Sequence, residues 1–214
     1  MSIRRLVSAT AAAALTAGAV VAVAPAASAA PPSGTTSLAA VLASDGDTFD
    51  HSWYDFDILD QAVGAVLAAK PDSAVGVLAD GDVPLTAFIP NDRAFQLLAL
   101  DLTHRWYFTE SGVLNALVKA VGVDAIEQVL LYHVVPGATI DSKTALASDG
   151  AKLTTAQGGT FTVDVISKRF GLVQLIDQDR NDVNPFLVPG KLDINKGNKQ
   201  IAHGIAFVLR PADL

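Results

Sequence analysis

Two histidines and two aspartate-rich segments are the places where this 214-residue chain could do chemistry. His133 follows Tyr132, and His203 sits in an alternating apolar segment; with an aspartate the pair could in principle hold a metal. A lone histidine on an apolar face is more often a buried hydrogen-bonding group, so both are read as framework residues rather than ligands. Asp177-Gln178-Asp179-Arg180-Asn181-Asp182 opens like a calcium loop. Its sixth position is Asp182 where glycine would make the turn, and its twelfth is Val188 where a bidentate glutamate is needed. A polar hairpin tip ahead of Asn184-Pro185 is the reading preferred there. Six aspartates fall between Asp45 and Asp60, which could collect calcium or a basic partner, though a solvated face accounts for them. No G-x-S-x-G, H-E-x-x-H, G-x-x-x-x-G-K or G-x-G-x-x-G occurs, so no catalytic residue, metal or cofactor is expected.

The elements that must position these residues follow from periodicity. From Trp53 to Lys70, Ile58, Leu59, Ala62, Val63, Val66 and Leu67 recur at helical spacing, and Pro71-Asp72 ends the run. Ala74–Leu78 and Leu85–Ile89 read as short strands around Asp80-Gly81-Asp82. Pro90-Asn91-Asp92 stops the second strand and caps a helix, with Asn91 or Asp92 accepting from its first-turn amides. Two short helices are predicted over Ser111–Val121 and Asp124–Tyr132. Strands follow at Lys152–Ala156 and Thr160–Ile166, flanking Gly158-Gly159, then at Leu172–Ile176 and Ile201–Leu209. In the last of these Ile201, His203, Ile205, Phe207 and Leu209 share one face. Helices first and strands later predict an α+β domain on one core. The aromatic pairs Trp53-Tyr54 and Trp106-Tyr107 are read as core anchors at helix starts, with an exposed platform for polysaccharide as the alternative.

Residues 1–29 read as a secretory signal: Arg4-Arg5, an apolar run over Ala9–Val23, and Ala27-Ser28-Ala29 as a cleavage shape, similar to bacterial export signals. The run is shorter than the roughly 18 residues that would cross a bilayer, so no stable membrane anchor is expected. Residues 30–36 read as a flexible mature N-terminus and 37–214 as one domain. Cysteine is absent, so the fold stands on its core without disulfides. With 15 basic and 22 acidic residues the net charge is −7, which makes nucleic acid an unsuitable partner. Residues 30–149 hold 16 acidic and 5 basic side chains, so the N-terminal part presents an acidic surface.

Three segments together resemble the fasciclin-domain family: Thr86–Phe95 (TAFIPNDRAF), Leu131–Gly137 (LYHVVPG) and Ile201–Pro211 (IAHGIAFVLRP). Thr86, Phe88, Pro90, Asp92, Ala94 and Phe95 match the first box, Tyr132 and His133 the central pair, and His203, Ile205, Val208, Leu209 and Pro211 the closing strand. The resemblance implies a fasciclin-like fold, with short helices packed on a mainly antiparallel β-sheet wedge or sandwich. It further implies a secreted, non-catalytic adhesion or interaction module whose partner is an extracellular protein or a cell-surface or matrix polymer. Tyr132 and His133 become candidate partner contacts, since that neighbourhood is linked to integrin adhesion in animal relatives. The chain departs from the family at Ala206, where an acidic residue is usual, and it has no Arg-Gly-Asp. Alternative readings are a carrier for a small molecule, metal or polysaccharide using a cleft around the Tyr-His helix end, and a secreted hydrolase, for which no nucleophile, base and oxyanion hole can be named.

Overall fold

The computed structural model describes residues 32–44, 46 and 49–213; the signal read at 1–29 lies outside the described residues. In chain order the elements are α1 (Leu38–Leu42), α2 (Asp57–Ala69), β1 (Leu85–Pro90), α3 (Asp92–Thr103), α4 (Glu110–Tyr132), β2 (Val134–Pro136), α5 (Ser142–Ala147), β3 (Lys152–Thr154), β4 (Thr160–Ser167), β5 (Leu172–Ile176) and β6 (Gln200–Ile205). The strands form two three-stranded sheets, β2-β1-β6 and β3-β4-β5. Antiparallel pairing joins β1 to β2, β3 to β4 and β4 to β5, while β1 and β6 run parallel with Leu85 opposite Gln200 and Pro90 opposite Ile205.

Alternation along β1 divides the interior into two apolar clusters. Leu85, Ala87 and Ile89 join Ile58, Leu59 and Val66 of α2, Leu98 of α3 and Leu130 of α4. Phe88 points the other way, into Phe161 and Val163 of β4 and Val173 and Leu175 of β5. The result is the α+β architecture that the helix-then-strand order predicts. Helices cover one face of the first sheet and the second sheet covers the other. Phe88 and Phe161 meet edge to face at 5.2 Å between ring centroids, which locks the sheets together.

Most predicted elements occur where expected, and the exceptions have local causes. Residues 74–79 form a 3-10 turn, not a strand. Ser73 accepts from the Val75 amide, and Val75 and Leu78, three apart, both enter the core, a spacing that a two-residue period cannot supply. α4 is interrupted at Gly122, whose φ of 80° breaks the helix where two short helices are predicted. β6 ends at Ile205 rather than Leu209, because its partner β1 ends at Pro90. Beyond that point the Ala206 amide donates to Phe186 O and the Leu209 amide to the His133 ring. The N-terminal lead-in is also tied down: the Gly34 amide donates to Gly197 O, and its carbonyl accepts from the Lys199 amide, so 34–36 run beside 195–199 instead of forming a free tail.

One buried amide at the start of β6 fastens this lead-in region. Gln200 Oε1 accepts from the Leu38 amide at 2.8 Å, and its Nε2 donates to Val77 O and Asp80 O, both at 2.8 Å. Gln200→Leu would leave those groups buried without partners, so we expect a loss of roughly 2–4 kcal/mol in denaturant unfolding. A loss below about 0.5 kcal/mol would show that water replaces the amide.

Candidate functional site

The corner between β1 and α3 gathers the residues with the most chemistry. Pro90 closes the strand, and Asn91 caps α3 by accepting from the Ala94 amide at 3.0 Å. Asp92, fully buried, serves a different helix: its Oδ1 accepts from the Ile58 amide of α2 at 2.9 Å. Its own amide donates to Asp55 O, and the Arg93 amide donates to Trp53 O, so the segment before α2 lies along this corner. Glu110, also fully buried at the start of α4, accepts from the His51 amide at 3.3 Å. One carboxylate oxygen each from Asp55, Asp92 and Glu110 lies within 4.8 Å of the others. Burial, then the neighbouring Asp55 carboxyl, holds Asp92 well above the usual carboxylate range; burial also raises Glu110. The aspartates around the start of α2 are therefore not a solvated face throughout: Asp50 is exposed, but Asp55 is half-buried and Asp57, the first residue of the helix, is buried.

Residues from the first, central and closing segments meet around β1. Thr86 Oγ1 donates to Ala138 O and accepts from the Ile140 amide, both at 2.8 Å. His203 Nε2 donates to Ile140 O at 2.8 Å, while its Nδ1 accepts from the Asp193 amide at 3.2 Å. His133 takes the opposite tautomer: Nδ1 donates to Val129 O at 2.7 Å, and Nε2 accepts from the Leu209 amide at 3.0 Å. Both imidazoles are fully paired only when neutral, and burial lowers both pKa values, that of His133 to about 4. The Tyr132 hydroxyl donates to Thr160 O at 2.7 Å, and burial raises its pKa. Phe88, Tyr132, Ile205 and Leu209 share one apolar cluster, whereas Ala94 and Phe95 belong to the helical one. Tyr132 and His133 are both buried, so in this fold neither offers a surface to a partner, contrary to their reading as candidate contacts. The cavity beside His133 holds about 20 Å³, room for one water and not for a carried small molecule.

The calcium-like segment is the tip of a hairpin, with Gln174 of β5 opposite Phe186 and the Leu175 amide donating to Pro185 O, but it is not a free polar tip. It wraps the buried Arg210: the guanidinium reaches Asp101 at 2.8 Å, Asp182 at 2.7 Å and the buried Asp179 at 3.5 Å, and the Arg210 amide donates to Asp177 at 2.8 Å. Burial pushes Asp177 up to about 6. Local spacing could not show this, because the partner lies some thirty residues on. Glu110 and Asp55 were likewise missed as a pair with Asp92. The capping Thr109, which accepts from the Gly112 amide, was the available signal for an acidic residue in the first turn of a helix.

The aromatic pairs split between core and surface. Trp53 and Tyr107 pack against the helical cluster, while Tyr54 is 71% exposed and Trp106 36% exposed, with Phe108 beside it at 77%. The Arg93 guanidinium covers the Trp106 ring at 4.9 Å.

The sequence profile of the fasciclin domain matches residues 61–209, most of the chain. The chain belongs to the fasciclin-domain family. Among solved structures it is similar to a FAS1 domain pair from the insect cell adhesion molecule Fasciclin I, at 17% identity and a TM-score of 0.49, covering 72% of this chain and 47% of that one. It thus spans about half the length of that structure. A search of curated proteins returned no match.

His133 provides the sharpest test of this frame. Its folded pKa of about 4 lies below the ordinary 6.5, so between these values the unfolded chain binds the proton first. Its contribution is complete above about pH 6.5 and lost as pH falls towards 4, a change of roughly 3 kcal/mol. The raised carboxyls Asp92 and Asp177 have the opposite sign, so the informative quantity is the difference from a variant. His133→Asn, which leaves the Leu209 amide without an acceptor, should lose about 1–3 kcal/mol at pH 7. That deficit should vanish near pH 4.5 in denaturant melts. A deficit constant with pH would mean that the imidazole is not held neutral.

Proposed function

We propose that this chain is an exported adhesion or protein-interaction module that works outside the cell without catalysing a reaction. The observation that carries the reading is the fasciclin-domain match over residues 61–209, since domains of this family generally serve adhesion and interaction. Export is supported by the signal-like features of residues 1–29. Among the described residues no helix is long and apolar enough to cross a membrane.

The family residues are turned inward, so contact falls to the exposed side chains. Tyr54, Trp106 and Phe108 stand on the two segments that lead into α2 and α4, and Arg93 bridges them through its amide to Trp53 O and its guanidinium on Trp106. Exposed aromatics with a stacked arginine are the residue types that dominate protein interfaces, and aromatic rings also stack on sugars. We assign the partner as an extracellular protein or a cell-surface or matrix polymer bound at this aromatic surface. The acidic balance disfavours nucleic acid.

Immobilised protein tested against matrix proteins, envelope fractions and polysaccharides should show saturable binding to one class. Tyr54→Ala and Phe108→Ala should each weaken it at least tenfold with an unchanged melting temperature. Binding untouched by both substitutions would move the contact elsewhere. No binding by folded protein would remove the adhesion reading.

A further inference from the structure

We propose that Asp55, Asp92 and Glu110 form a binding site for a divalent, oxygen-preferring cation, calcium before magnesium. Three carboxylates converge within 4.8 Å, and each leaves one buried oxygen without any donor: Asp55 Oδ1, Asp92 Oδ2 and Glu110 Oε1. Asp92 and Glu110 have no exposed surface, so bulk water does not serve these atoms. The ion pairs found among the described residues all lie elsewhere, and the donors that do reach the cluster are the Ile58 and His51 amides, each on the other oxygen of its carboxylate.

Charge counting favours a cation over the alternatives. α2, α3 and α4 begin at Asp57, Asp92 and Glu110, so three helix N-termini, each equivalent to about +0.5 charge, face this region. They offset about half of three carboxylate charges and supply no donor to the three remaining oxygens. A proton shared between Asp55 and Asp92 would satisfy two of them and leave Glu110 Oε1 bare. One cation serves all three. The donors are oxygens only, which selects a hard ion. Calcium–oxygen distances of about 2.3–2.6 Å allow ligand atoms up to roughly 5 Å apart, as found. Asp50, exposed and grouped with Asp55 and Asp57, stands at the solvent side of the cluster, where water would complete the coordination. A bound ion would join the segment before α2 to the first turns of α3 and α4.

The test is calorimetric titration of calcium, and separately of magnesium, into chelator-treated full-length protein at pH 7.5, with thermal melts at each concentration. The expected result is one calcium per chain with Kd between about 10 μM and 1 mM, and a melting temperature raised by roughly 5 °C at a hundredfold excess. Asp55→Asn and Glu110→Gln, each checked for a native circular dichroism spectrum, should weaken calcium uptake at least tenfold. Asp50→Asn should weaken it less. No heat and no melting shift up to about 10 mM of either ion would overturn the proposal. So would undiminished uptake in both the Asp55 and Glu110 variants, and so would a melt that falls with rising pH and ignores calcium, the behaviour of a shared proton.

Discussion

β1 has β2 on one side and β6 on the other, and the β6 pairing is parallel, so no tight turn can make it. Leu85 and Gln200 are 115 positions apart, and closing so long a loop has an entropic cost that local contacts must offset. The offset comes from polar clasps placed along the seam. Gln200 fastens the start of β6 to α1 and to the 3-10 turn, His203 fastens its middle to the 138–140 segment that Thr86 also holds, and His133 fastens the chain beyond its end to α4. Remove the parallel seam and neither apolar cluster closes, because Phe88 and Ile205 on one face and Ala87 and Ala202 on the other come from these two strands.

The interior handles charge in three ways, and the contrast between them is informative. Arg210 is compensated by carboxylates on nearly every side, leaving only its Nε without a partner. The two histidines avoid charge, since each ring donates one bond and accepts another while neutral. The acidic corner does neither. Its carboxylates face backbone amides and helix ends and, among the described residues, form no ion pair with a lysine or arginine, an arrangement that costs stability unless a proton or a cation completes it.

What the sequence made legible was whatever a local window carries. Residues 172–176 and the strand-to-helix corner at Pro90 were readable because alternation, proline and an Asn cap lie within a few positions of one another. The 74–79 turn was misread because Ala, Val and Leu in a short apolar run suit a strand or a turn equally, and only Ser73 and the three-residue spacing separate them. The two polar centres were out of reach for another reason. Asp92 meets Asp55 and Glu110, and Asp177 to Asp182 meet Arg210, through contacts separated by tens of residues, whose sequence sign is merely an acidic residue in a turn. The resemblance carried by the three boxes supplied the fold that spacing alone left as a generic α+β arrangement.

The same burial decides how substitutions in the boxes are to be interpreted. Thr86, Phe88, Tyr132, His133 and His203 are buried; Phe88 packs against Phe161, and the other four spend their side-chain polar atoms on backbone groups of this chain. A change at any of them acts first on the frame, so loss of binding in such a variant is evidence about contact only if its stability is unchanged. Side chains that can meet a partner without that confusion stand outside the frame, on segments whose position the frame sets. Tyr54 immediately precedes Asp55, and Phe108 stands two residues before Glu110. The acidic corner therefore sits at the base of both aromatic segments, so a cation bound there would tie together the two segments that carry the rings.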